Sequence, residues 1–115
     1  MKRVIQSWAL LLAGLLSVSA ADKKVIFVAG APSHGPGEHE HRSGCLLLKA
    51  CLDNIPGFTS VVYSNGWPED PKAFQGADTI VLYMDGGGNH PALQDARLQQ
   101  LGALMKKGVG LACIH

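Results

Sequence analysis

Nothing in this chain reads as a comfortable membrane span. Its one long apolar stretch, Val4 to Val18, is short for a bilayer and gives way to Asp22, Lys23 and Lys24. There is no CxxC pair and no zinc-knuckle spacing among the three cysteines, Cys45, Cys51 and Cys113. An odd count leaves at least one thiol unpaired within the chain. Cys45 and Cys51, six apart on an expected helix, lie about 240° around it from each other and are read, like Cys113, as small apolar side chains. No single sign of charge dominates: ten Lys and Arg stand against nine Asp and Glu, which leaves no electrostatic footprint for nucleic acid. A GxGxxG fingerprint, internal repeats and low-complexity tracts are missing as well.

What is there begins with Met1, Lys2 and Arg3, an apolar core, and then Ser19, Ala20 and Ala21. A charged start, a short apolar run and small residues are the three parts of a secretory signal peptide, expected over residues 1–20; a retained anchor helix is the alternative. Cleavage leaves eight basic residues against nine acidic, a formal charge of −1, and 95 residues, enough for one small domain with a modest core. The expectation is an exported protein, periplasmic or extracellular, with no stable membrane span after cleavage.

Four apolar runs read as strands. Val25 to Gly30 and Asp78 to Met84 are β-branched and apolar without polar alternation, as in strands covered on both faces of a parallel sheet. Ser60 to Tyr63 and Val109 to Ile114 supply two more. A helix is expected from Ser43 to Ile55, with Cys45, Leu48, Cys51, Leu52 and Ile55 as its apolar stripe, stopped by Pro56 and Gly57. A second helix is expected to start at Pro91, with Leu93, Leu98, Leu101, Leu104 and Met105 apolar, and to end at Lys106, Lys107 and Gly108. The order predicts an α/β doubly wound parallel sheet of flavodoxin-like type. The crossover pattern stops after the fourth strand, so the chain is expected to be the N-terminal portion of a longer protein, and a piece so cut need not fold or act alone.

In such sheets ligands bind beyond the carboxyl ends of the strands, where the winding reverses. The loop after the first strand, Ala31 to Arg42, carries His34, Glu38, His39, Glu40 and His41. The loop after the third carries Asp85, Gly86, Gly87, Gly88, Asn89 and His90, and the fourth strand ends at His115. All five histidines therefore fall at one edge. Imidazoles beside carboxylates suit a divalent metal such as zinc and equally suit acid and base chemistry near neutral pH. In an extended segment His39 and His41 face the same side and reach one ion; a solvated loop in which Glu38 or Glu40 pairs with Arg42 is the other reading. The glycine run lets backbone approach a ligand, or serves a tight turn. Trp67 either stacks on a sugar ring or packs under its turn.

The segments Val25 to Gly30, Ser33-His34-Gly35, Glu38-His39-Glu40-His41, Tyr63-Ser64-Asn65-Gly66-Trp67, Tyr83 to Gly88 with His90-Pro91, and Gly108 to His115 resemble ThuA-like (trehalose-utilisation) domains, most of all the exported bacterial versions. The resemblance spans residues 21–115. It implies a fold like that of class I glutamine amidotransferases and a role in carbohydrate metabolism, on a trehalose-like disaccharide or a keto-glycoside. It does not extend to cysteine-dependent glutaminase activity: the nucleophile-elbow position holds His115, and Cys113 lies two residues earlier within the strand.

The expectation is thus a small-molecule sugar site. His34, His90 and His115 are its candidate catalytic groups, Asp85, Gly86, Gly87, Asn89 and Trp67 its candidate substrate contacts, and His39 and His41 its candidate metal ligands. A non-catalytic glycan- or protein-binding module is the competing reading.

Overall fold

The computed structural model describes residues 22–115; the signal-peptide expectation lies outside the described residues. Four strands, β1 (Lys23–Ala29), β2 (Phe58–Tyr63), β3 (Thr79–Tyr83) and β4 (Gly110–Ile114), form one sheet with helices α1 (His41–Asp53) and α2 (Arg97–Lys106). The strand order is β2-β1-β3-β4 and every pairing is parallel, the flavodoxin-like arrangement expected from the sequence. No helix among the described residues is long and apolar enough to cross a membrane.

Strands β1 and β3 lie in the middle, and the alternation of side chains divides their residues between two cores. Ile26, Val28, Ile80, Leu82 and Met84 pack with Phe74 and with Leu101 of α2 on one face. Val25, Phe27, Ala29 and Val81 pack with Cys45 of α1 on the other. Helices on both faces explain why β1 and β3 are continuous apolar runs. At the opposite end of the sheet from the loops described below, Asp78 ties β3 to β1. Its Oδ2 accepts from the Lys24 amide at 2.9 Å, and its Oδ1 accepts from Lys23 Nζ at 3.0 Å.

Several boundaries differ from the sequence expectation. Helix α1 starts two residues earlier, so His41 and Arg42 belong to its first turn and not to the loop. Its buried line runs through His41 and Cys45, while Leu48, Cys51 and Ile55 are exposed. Cys113 is exposed on β4 too, so of the three thiols only Cys45 behaves as a core side chain. No helix starts at Pro91: two 3-10 turns, Gly87–Asn89 and Pro91–Leu93, intervene before α2 begins at Arg97. Pro91 does occupy a helical first turn, but Gln94 is extended at ψ 148°, which interrupts the helix there.

Candidate active site at the carboxyl edge of the sheet

Asp85 follows β3 by two residues and is the hub of the edge. Its Oδ2 accepts from Ser33 Oγ at 2.7 Å and from His39 Nδ1 at 2.9 Å, and His34 Nδ1 lies 3.3 Å from the same oxygen. Its other oxygen, Oδ1, lies 3.9 Å from His41 Nε2. The carboxylate is 13 % exposed. Hydrogen bonding from Ser33, reinforced by that from His39 and by the nearby imidazoles, outweighs partial burial and holds the Asp85 carboxyl down to about 2.

An ionised carboxylate only accepts, so the network fixes proton positions. His39 must carry its proton on Nδ1. Ser33 has one proton and gives it to Asp85, so its oxygen accepts from His34 Nδ1, 2.9 Å away. Both imidazoles are therefore Nδ1–H tautomers in their neutral state, with Nε2 left as an unprotonated base.

The backbone path around His39 and His41 is not extended. His39 has φ 41°, in the left-handed region that is uncommon for a side chain other than glycine. Glu40, at φ −76° and ψ 62°, forms an inverse γ-turn closed by the His41 amide on the His39 carbonyl at 2.8 Å. This reversal, and not an extended alternation, brings the two imidazoles into a stack with centroids 5.9 Å apart. Glu40 does not pair with Arg42; its Oε1 accepts from the Gly37 amide at 2.9 Å and clasps the loop.

His41 is placed differently from the other imidazoles. Its side chain is 2 % exposed, and its Nδ1 donates to the Ala31 carbonyl at 3.2 Å. Gly30 makes room for it: a Cβ there would sit 3.0 Å from His41 Nδ1 and 2.8 Å from Met84 Cβ. Of the expected ligand pair, His39 shares a cluster with His34 and Asp85, and His41 lies beside it. One ligand atom from each of His34, His39 and Asp85 lies within 4.8 Å of the others. The His34 and His39 rings are 4.1 Å apart edge to face, and the His115 ring is 5.5 Å from that of His39.

Ser33, His34, Glu38, His39, His41 and Asn65 line a cleft of about 250 Å³ beside this cluster. Comparison with protein-family models, with curated proteins and with solved structures finds no match. The site is therefore read from its own geometry.

His90 does not join the cluster around Asp85. Its Nδ1 accepts from the Ala92 amide at 3.2 Å and caps the second 3-10 turn. With Gly86, Gly87, Cys113 and His115 it borders a second, mainly apolar depression over Leu82, Leu98 and Leu101. His115 borders this second depression with its ring 5.5 Å from that of His39, and all five histidines lie at the carboxyl edge. Gly86 has φ 140°, and a Cβ there would lie 2.9 Å from the His90 backbone, so the glycine serves the turn. Asn89 is exposed in the first 3-10 turn. Trp67 packs against the α2-side core, edge to face with Phe74 at 5.3 Å and with Arg97 over its ring at 5.5 Å. Its ring is occupied by protein and does not line the histidine cleft. Sequence reasoning passed over Ser33 as a site residue; its place directly before His34 in the loop after β1 was the available signal.

Proposed function

We propose that this chain is an exported ThuA-like domain that binds a small carbohydrate, a trehalose-like disaccharide or an oxidised keto-glycoside, in the histidine-lined cleft and acts on it by proton transfer. The observation that carries the reading is the convergence of Ser33, His34 and His39 on one oxygen of Asp85. A permanently charged carboxylate orients neutral imidazoles and stabilises the cation each becomes on taking a proton, which is what general acid and base chemistry at neutral pH needs. Serine, carboxylate and imidazole edges also supply the mixed donors and acceptors that sugar hydroxyls require. The resemblance in the loop segments is what names the sugar class, and the charged start, apolar run and small residues at the N-terminus are what suggest export.

The test is equilibrium binding and product release with the full chain on trehalose and on a keto-glycoside. Asp85→Asn is expected to lower turnover by roughly 10²- to 10⁴-fold, the usual contribution of a positioned acid or base. Binding that is unaccompanied by turnover in the wild-type protein would leave a non-catalytic glycan-binding module. Failure to bind either sugar would overturn the proposal.

A further inference from the structure

We propose that the carboxyl edge is a metal site in which His34, His39 and Asp85 hold one divalent first-row transition metal ion, with Ser33 orienting the carboxylate. The inference rests on the same cleft as the proposed sugar reading, but it follows from ligand geometry and not from any substrate.

Three observations carry it. First, metal–nitrogen and metal–oxygen bonds of about 2.1 Å place neighbouring ligand atoms about 3.0 Å apart in an octahedral shell and about 3.4 Å apart in a tetrahedral one. His39 Nδ1 lies 2.9 Å and His34 Nδ1 3.3 Å from Asp85 Oδ2, so the spacing of both imidazoles to the carboxylate already matches a coordination edge. One ring nitrogen from each histidine and an oxygen of Asp85 all lie within 4.8 Å of one another. Second, the donor set is chemically selective. Two imidazoles and one carboxylate suit manganese, iron, cobalt, nickel or zinc, and three protein ligands leave positions open for water or a sugar hydroxyl. Third, the trio has beside it a group of the kind that orients ligands in metal sites: Ser33 Oγ binds the ligating oxygen at 2.7 Å. Buried His41, fixed on the Ala31 carbonyl, lies 3.9 Å from the other oxygen.

With Nδ1 of each imidazole on the metal, the ring proton sits on Nε2. The left-handed backbone at His39 fits the same picture, since strain of this kind persists where the surroundings hold a side chain for a purpose. His115, 5.5 Å from His39 between ring centroids and outside the trio, is then the imidazole free for proton transfer.

The experiment is titration of the chelator-treated full chain with zinc and with cobalt(II), read by calorimetry, by elemental analysis after desalting, and by the visible spectrum of bound cobalt. One equivalent is expected. Asp85→Asn and His39→Ala should each weaken affinity at least about 100-fold. Ser33→Ala should weaken it about 10-fold, the lower end for a group that orients a ligand. His90→Asn, which keeps a residue competent to cap the 3-10 turn, should leave affinity within about two-fold. Circular dichroism of the metal-free variants guards against a loss caused by unfolding.

Substoichiometric metal in the wild-type chain, or full affinity in Asp85→Asn and His39→Ala, would overturn the assignment. Sugar binding by a chain that takes no metal would refute the metal site and spare the carbohydrate reading. Stoichiometric metal with no sugar bound, loaded or stripped, would do the reverse.

Discussion

Ser33 and His39 donate to a single oxygen of Asp85 and, with the His41 imidazole nearby, hold its carboxyl down to about 2 against an ordinary value of 3.8. The folded-state value lies below the unfolded one, so the stability this group contributes is complete above about 3.8 and is lost as pH falls towards 2. Thermal melts of wild type and Asp85→Asn, taken from neutral pH downwards, should therefore differ most at the upper end and converge through that window. Asp53, held by Lys49 and Ser60, and Asp78, held by Lys24 and Lys23, are also depressed, but they act in both proteins and cancel in the difference. A gap that stays constant with pH would show that the charge of Asp85 does not anchor the loop. The cysteines offer a second check, since thiolates and not thiols react. Burial pushes the Cys45 thiol up to about 11, whereas Cys51 and Cys113 are exposed. Alkylation at neutral pH followed by peptide mapping should label Cys51 and Cys113 and spare Cys45 until the protein is unfolded. At this scale the sequence was partly legible. Asp85 and the histidines follow strand ends directly, so topology alone carried them to one edge. The hydrogen bond from Ser33 to Asp85 depends on the path of a long loop, and the pairing of His39 with His41 on a γ-turn, neither of which has a residue-type signature.

Helix α1 and helix α2 each contain one glycine, and the two positions have opposite surroundings. Alanine is better than glycine in a helix by about 1 kcal/mol when nothing else changes. At Gly102 of α2 a Cβ would meet nothing within 4 Å, so Gly102→Ala should stabilise the protein by about 0.5–1 kcal/mol. At Gly44 of α1 an added Cβ would overlap the edge of the Tyr83 ring at Cε1 and sit 3.0 Å from Cδ1. That ring also packs edge to face on His41 at 5.2 Å, so it cannot move without disturbing the site. Gly44→Ala should lose its propensity gain and destabilise by about 1–3 kcal/mol net, the usual cost of overpacking. Denaturant unfolding of the two variants checks the sign directly; a stabilised Gly44→Ala would mean that α1 shifts on the sheet at little cost. The same contrast explains which elements could be read in advance. The central strands announced themselves as unbroken β-branched runs because both faces are covered. The 3-10 turns and the late start of α2 did not, because Pro91 is as compatible with a 3-10 turn as with an α-helix and nothing in Gln94 signals its extended backbone. The apolar stripe of α1 was overdrawn for a related reason: the helix meets the sheet along His41, Gly44 and Cys45, and Gly44 is silent in a hydrophobic pattern.

Taken over the whole molecule, the site joins parts of unequal rigidity. Strands β1 and β3 are hydrogen-bonded on both sides, and Ile26, Val28, Ile80 and Leu82 are at most 2 % exposed. Strand β4 has the same kind of ladder to β3, but Ala112 and Cys113 are exposed and, among the described residues, no strand pairs with its other side. Asp85 hangs two residues beyond β3, whereas His34 and His39 sit on the connection between β1 and α1, of which residues 31–40 are all exposed. The fold thus fixes the carboxylate just beyond a central, buried strand and leaves the imidazoles on a segment with few buried contacts, drawn from the low-stability end of the structure as ligand-binding loops are. Amide hydrogen exchange should reflect this: residues 25–29 and 79–83 slowest, residues 110–114, paired on one side among the described residues, faster, and residues 31–40 fastest. A ligand that bridges Asp85 to His34 and His39, whether a metal ion or a sugar, stabilises only the state in which the loop is closed on the strand end. Exchange of residues 31–40 should then slow on ligand addition while residues 79–83 hardly change. Slowing spread evenly over all four strands would point instead to global stabilisation by a ligand bound elsewhere, and the loop histidines would lose their claim to the site.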